Sequence, residues 1–320
     1  TQTRYFILTV ILCINPSFSY KPVVLIHGIM TGSASMEMIK YRIEEKHPGT
    51  VVYNVNRFES WSSLETMWRQ VLEIGKDIAN ISAQHPGGIN ILGYSQGGLI
   101  ARGVIQTFAN ITVDTFISLS SPQAGQYGAG FLHLVFPGLV TDTVYELFYS
   151  RVGQHTSVGN YWNDPYHQSL YESYSVYLPY INNHVSSAKS NDFKSNLLKV
   201  KRLVLIGGPD DNVITPWQSR YIVSTVLHYV KMSVLRDVEF VTCQIESRVV
   251  ETSPPRITLH RDAHRIKGRI FTTTNHASSK VYHCEPCYIE CTLLRITSHC
   301  KVTLRRNHIN KLNVIDSSSL

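Results

Sequence analysis

The sequence predicts an α/β fold: a mainly parallel central sheet with helices against it and an inserted helical cap. Three observations carry that reading. Short β-branched apolar runs recur along the N-terminal part of the chain, amphipathic stripes of helical period alternate with them, and the alternation breaks between about residues 123 and 199 in a segment dense in aromatic side chains. Strand–helix alternation implies right-handed βαβ units and therefore parallel pairing.

The elements follow in order. Val23-Val24-Leu25-Ile26 is a continuous apolar run of the kind a strand needs when both faces are covered. Thr50 to Val55 reads as a second strand. From Leu64 onward, Met67, Trp68, Val71, Leu72, Ile74 and Ile78 recur at steps of three and four, the stripe of an amphipathic helix. Ile89 to Leu92 is the next strand, Leu99 to Phe108 the next helix, and Thr115 to Leu119 the strand after it. Arg202 to Ile206 resumes the pattern beyond the aromatic segment.

The chemistry is placed by Gly93-Tyr94-Ser95-Gln96-Gly97, a G-x-S-x-G sequence between an apolar strand and a helical stripe. A nucleophilic serine must project from a very tight strand-to-helix turn, and glycines two residues before and after it remove side chains that would collide there. The following helix aims free amides at the site, which suits a developing oxyanion. The context is that of an α/β-hydrolase elbow with Ser95 as nucleophile. A second oxyanion donor is expected from His27-Gly28-Ile29 after the first strand, so the backbone N–H groups of Ile29 and Gln96 are predicted to form the hole. The acid is expected after a later strand, where Gly207-Gly208-Pro209-Asp210-Asp211 offers two aspartates. Only one can fix the histidine tautomer; Asp211 is taken first and Asp210 is held in reserve.

Four runs together resemble the lysosomal palmitoyl-protein thioesterase family: His27-Gly28, Gly93 to Leu99, Ile117 to Gly128, and Gly207 to Ser219. The likeness extends from about Tyr20 to about Asp237, and Asn160 to Pro165 supports a cap of the same type. It implies hydrolysis of long-chain fatty acyl thioesters, either palmitoyl-CoA or S-palmitoylated proteins and peptides, through an acyl-serine intermediate. It favours Asp211, because the family aspartate stands five residues before the proline matching Pro216. It places the general base at His260, with His264 as the alternative, in a His-x-x-x-His remnant at Ile257 to His264. The turn glycine of the family is missing there, and Arg261 and Asp262 bring charge to positions where the family has less. The cap aromatics, among them Phe131, Phe136, Phe148, Tyr161, Trp162 and Tyr177, divide between cap core and a lining for the acyl chain.

The remaining features bound the setting. Arg4 followed by the apolar run Tyr5 to Ile14 and by Ser17 to Ser19 has the order of a secretory signal peptide over residues 1–19 and is too short to span a bilayer. Residues 20–237 are assigned to the hydrolase domain, with a lysosomal or secreted location reached through the secretory pathway. The sequons Asn80-Ile81-Ser82 and Asn110-Ile111-Thr112 point to a glycoprotein. Residues 238–320, rich in Ser, Thr, Arg, His and Cys, form an atypical segment that reads as partly disordered or as the product of an alternative transcript.

Cys243, Cys284, Cys287, Cys291 and Cys300 lie in that segment, where disulfides or free thiols are expected ahead of a zinc site. The formal charge of +7 is moderate, and many of the basic residues, among them Arg248, Arg256, Arg261, Arg265, Lys267 and Arg269, fall in the last third, where they read as a solvated basic tail; no nucleic-acid partner is expected, and no metal or organic cofactor is called for. Two further readings stay open: a catalytically impaired lumenal acyl- or lipid-binding protein without a proper histidine, and a carboxylester lipase.

Overall fold

The computed structural model describes residues 20–136, 138, 143–209, 211, 213–220, 237–243 and 302–305. The order of the sheet is β2 (Val52–Asn54), β1 (Val23–Ile26), β3 (Ile89–Tyr94), β4 (Val113–Leu119), β5 (Arg202–Gly207), β6 (Asp237–Cys243) and β7 (Val302–Arg305). All neighbours pair in parallel except β6 with β7. β6 begins at the residue where the sequence reading ends the hydrolase domain.

β1 is buried along its whole length, as its unbroken apolar run requires. The pleat sends its residues to two cores. Val24 and Ile26 join Ile91, Phe116, Leu203 and Leu205 on one face, while Val23 and Leu25 join Leu92, Leu119 and Ile206 on the other. Helix α1 (Glu37–Lys46) covers the second face with Ile39 and Ile43. Helices α2 (Met67–Gln84) and α3 (Gln96–Thr107) cover the first.

The stripe on α2 is buried through Met67, Val71, Ile74 and Ile78. Leu72 departs from it and is 45 % exposed. At 100° per residue it sits one step round the cylinder from Val71, and that step carries it off the narrow buried face.

Between β4 and β5 the described residues form the short helices α4 (Ala129–Val135), α5 (Val144–Phe148), α6 (Ser157–Tyr161), α7 (Gln168–Tyr174), α8 (Leu178–Ile181) and α9 (Ser190–Leu197). Phe131, Phe148, Tyr161, Trp162, Tyr171 and Tyr177 of this cap are buried in the same apolar cluster as the sheet face under α2 and α3. Leu147 and Tyr174 stay exposed, and Leu139 lies outside the described residues.

Arg102 on α3 crosses from domain to cap. It is fully buried, and it donates to Asn182 Oδ1 at 2.7 Å and to the Gln123 carbonyl at 2.8 Å. Burial draws its guanidinium down to about 10, so it is protonated at neutral pH. No helix among the described residues is long and apolar enough to cross a membrane.

Candidate active site

The site is assembled at the C-terminal edge of the parallel strands, where an open α/β sheet presents its loops. Ser95 follows β3 directly, with φ +52° and ψ −124°, and caps α3. The left-handed φ is costly for a residue with a Cβ and marks the strained elbow that a nucleophile requires. Its neighbours must be glycines. A Cβ on Gly97 would lie 2.3 Å from the Ile26 carbonyl oxygen and 2.4 Å from that of His27, and one on Gly93 would lie 2.4 Å from the Gly97 oxygen. The Ser95 amide donates to the Leu119 carbonyl at 2.9 Å, and the Ser120 amide donates to that of Ile206 at 2.8 Å. These two bonds knit the ends of β3, β4 and β5 into one rim.

The loop after β1 closes on the elbow. A Cβ on Gly28 would lie 3.0 Å from the Ser95 Cβ. Gly28 C=O and Ile29 N–H belong to one planar trans peptide, so fixing the carbonyl fixes the opposed N–H. That carbonyl accepts from Thr31 Oγ1 at 2.9 Å and faces His27 Nδ1 at 2.9 Å, while His27 Nε2 faces the Arg57 carbonyl at 2.9 Å. Among the described residues the Ile29 and Gln96 amides have no hydrogen-bond partner, whereas the neighbouring Met30 amide donates to Ser63 Oγ at 2.7 Å and that of Gly98 to the Ser95 carbonyl at 3.0 Å. An amide without a protein acceptor keeps its donor available to an incoming oxygen.

Asp211 stands in the loop after β5, half-buried. Its Oδ1 accepts the amides of Val213 and Ile214, both at 3.0 Å, so this oxygen shapes the loop; Oδ2 has no partner among the described residues. The loop is held against the segment after β4. The Gln126 side chain donates to the Val213 carbonyl at 2.9 Å and accepts from the Thr215 amide at 3.4 Å, and the Tyr127 amide donates to the Thr215 carbonyl at 2.7 Å. Asp210, His260 and His264 lie outside the described residues, as do the cysteines from Cys284 onward and the segment 1–19. Among the described residues no group of three or more His, Cys, Asp or Glu is arranged to hold a metal ion.

Beyond the loop after β1, the Ser33 hydroxyl and amide bond Glu59 Oε1 at 2.5 and 2.8 Å and hold its carboxyl below the usual glutamate range. Sequence reasoning passed over Ser63, Gln70 and Arg102, and it took Gln126 only as part of a longer run. Each of these bonds groups that the fold brings close, backbone groups for Ser63, Gln70 and Gln126 and both a carbonyl and the Asn182 side chain for Arg102, and nothing in its own neighbourhood of the sequence marks it.

A strained serine at a strand-to-helix turn, at the C-terminal edge of a parallel sheet with the loop after β1 packed against it, defines the α/β-hydrolase class. The family model for palmitoyl protein thioesterase matches residues 22–234, and the chain belongs to that family. It is similar to the lysosomal thioesterase PPT2 homolog of Drosophila melanogaster, at 56 % identity over 208 residues that cover 65 % of this chain and 72 % of that one. The human lysosomal thioesterase PPT2 is 43 % identical over 204 residues, 63 % of this chain and 68 % of that one. Palmitoyl-protein thioesterase 3 of Dictyostelium discoideum is 34 % identical over 215 residues, 67 % of this chain and 73 % of that one.

Proposed function

We propose that the chain is a serine-dependent thioesterase that hydrolyses long-chain fatty acyl thioesters through an acyl-serine intermediate in the lysosome. The observation that carries this is Ser95 at φ +52° beside the free amides of Ile29 and Gln96, in a chain of this family. Relatives named lysosomal thioesterases support both the reaction and the compartment.

In the proposed mechanism His260 takes the Ser95 Oγ proton while Oγ attacks the thioester carbonyl. The carbonyl π pair moves to oxygen, where the Ile29 and Gln96 amides receive the negative charge. Collapse breaks the C–S bond, and the thiolate leaves with the proton from the imidazolium. Water, deprotonated by the same histidine, then releases the fatty acid. Asp211 Oδ2, free of the loop bonds that occupy Oδ1, is the acceptor for the far ring nitrogen. The acyl chain is seated under the aromatic cap, where each buried methylene contributes roughly 0.8 kcal/mol.

The test is release of thiol from palmitoyl-CoA by the full chain, with fluorophosphonate labelling. Ser95→Ala is expected to abolish both signals, and His260→Ala to cut turnover by about 10⁴-fold or more. Turnover that survives Ser95→Ala would overturn the acyl-serine route. Full activity in His260→Ala would move the base to another histidine.

A further inference from the structure

We infer that Ser63 is a positioning residue of the oxyanion hole, fixing both of its donors and tying them to the cap. The inference rests on the thioesterase reading above and adds to it a residue that contacts neither substrate nor nucleophile.

Ser63 lies in a short 3₁₀ turn, Ser60–Leu64, and is 1 % exposed. Its hydroxyl works on the loop donor. Ser63 Oγ accepts the Met30 amide at 2.7 Å and donates to the Ser60 carbonyl at 2.5 Å. Met30 has φ +54°, a left-handed conformation uncommon for a long side chain, and its amide plane follows Ile29 directly. The plane before Ile29 is held by Thr31 Oγ1 on the Gly28 carbonyl. Ile29 is therefore pinned from both sides, with Ser63 as the second pin.

The surrounding turn is strained in the same way and is tied to the same loop. Phe58 and Ser60 also sit at positive φ, +57° and +54°, and the Ser60 amide donates to the Thr31 carbonyl at 2.7 Å. Left-handed non-glycine residues persist only where neighbouring structure over-determines them, and they gather at functional sites.

The Ser63 carbonyl works on the other donor. It accepts Gln96 Nε2 at 2.7 Å, Gln70 Nε2 at 2.9 Å and Ser157 Oγ at 3.0 Å. Gln96 is the residue whose amide is the elbow donor, Gln70 belongs to α2, and Ser157 begins the cap helix α6. One buried serine thus takes the Met30 amide on its hydroxyl and the Gln96 side chain on its carbonyl, with a cap residue on the same oxygen.

A donor that is displaced rather than deleted stabilises the transition state less and leaves ground-state binding alone. Ser63→Ala removes only the hydroxyl arm. We expect kcat for palmitoyl-CoA to fall about 10- to 100-fold, with less effect than outright loss of a donor. KM is expected to stay within about twofold. A long-chain trifluoromethyl ketone, which forms an oxyanion adduct on Ser95, is expected to bind more weakly by the same factor as the loss in kcat. The thioether analogue of palmitoyl-CoA, which lacks the carbonyl, is expected to keep its wild-type affinity.

If Ser63→Ala melts below the assay temperature, Ser63→Cys keeps the volume, offers a poor acceptor and carries the same comparison. An active wild type with kcat unchanged in these variants overturns the proposal alone. So does a loss that falls equally on the ketone and the thioether, because that is a general loosening of the fold. A wild type that releases no thiol and takes no label overturns the thioesterase reading and this proposal with it.

Discussion

At Gly97 the requirement for glycine is a distance rather than a flexibility. The absent Cβ leaves room for the Ile26 and His27 carbonyls, which end β1 and open the loop after it. In Gly97→Ala the obstruction is backbone and cannot rotate away, so β1 and the elbow must separate. A loss of about 3 kcal/mol is expected in urea unfolding, since overpacking against fixed atoms costs in that range. Turnover should fall with it, because the loop that moves carries Ile29. Wild-type stability in this variant would show that the rim is looser than the packing implies. The glycine spacing was legible in the sequence because it is a local demand of the turn. The positive φ of Met30 was not: its amide bonds Ser63, a residue distant in sequence, and no local signal marks that contact.

At the scale of elements, the cap carries a titrating group. His184 follows α8 and sets its ring edge-on to Tyr171 of α7 at 5.8 Å. Burial pushes its imidazole down from the ordinary 6.5, with Glu172 opposing and Arg102 adding to the shift. A base with a lowered folded pKa binds its proton more readily when unfolded. Its contribution is therefore present above 6.5 and is lost as pH falls below that value toward the folded pKa. The cap should loosen on acidification, and His184→Gln should flatten that part of the curve. Melting temperatures from pH 7.5 to 4.5 check this, and equal slopes in the two proteins would remove His184 as the cause. The same scale shows where periodicity reached its limit. It identified α2 and most of its buried face but included Leu72, because a three- and four-step pattern defines a stripe without defining its width.

For the whole molecule, domain and cap form one apolar body held by a polar clamp. Arg102 spans α3, the segment after β4 and the cap, and among the described residues no carboxylate is bonded to it. Arg102→Ala would strand Asn182 Oδ1 and the Gln123 carbonyl and leave a void, a loss of about 3 kcal/mol. A single unfolding transition shifted as a whole would show that cap and domain unfold together. Two transitions would show that the clamp is what couples them.

What the sequence determined by itself was everything that local chemistry demands. The apolar runs dictated buried parallel strands, and the G-x-S-x-G placed a serine on a tight turn between strand and helix. The resemblance of the runs around His27, Ser95, Gln123 and Asp211 supplied the family. What only the tertiary structure decided was which atoms are left free and which are occupied. Among the described residues the Ile29 and Gln96 amides have no partner while the Met30 amide is taken by Ser63, and Asp211 bonds its own loop through Oδ1 and nothing through Oδ2. Those assignments depend on contacts between segments far apart in the chain. A hydrogen bond is short and directional, so its partner is known only once the fold has brought the two groups together.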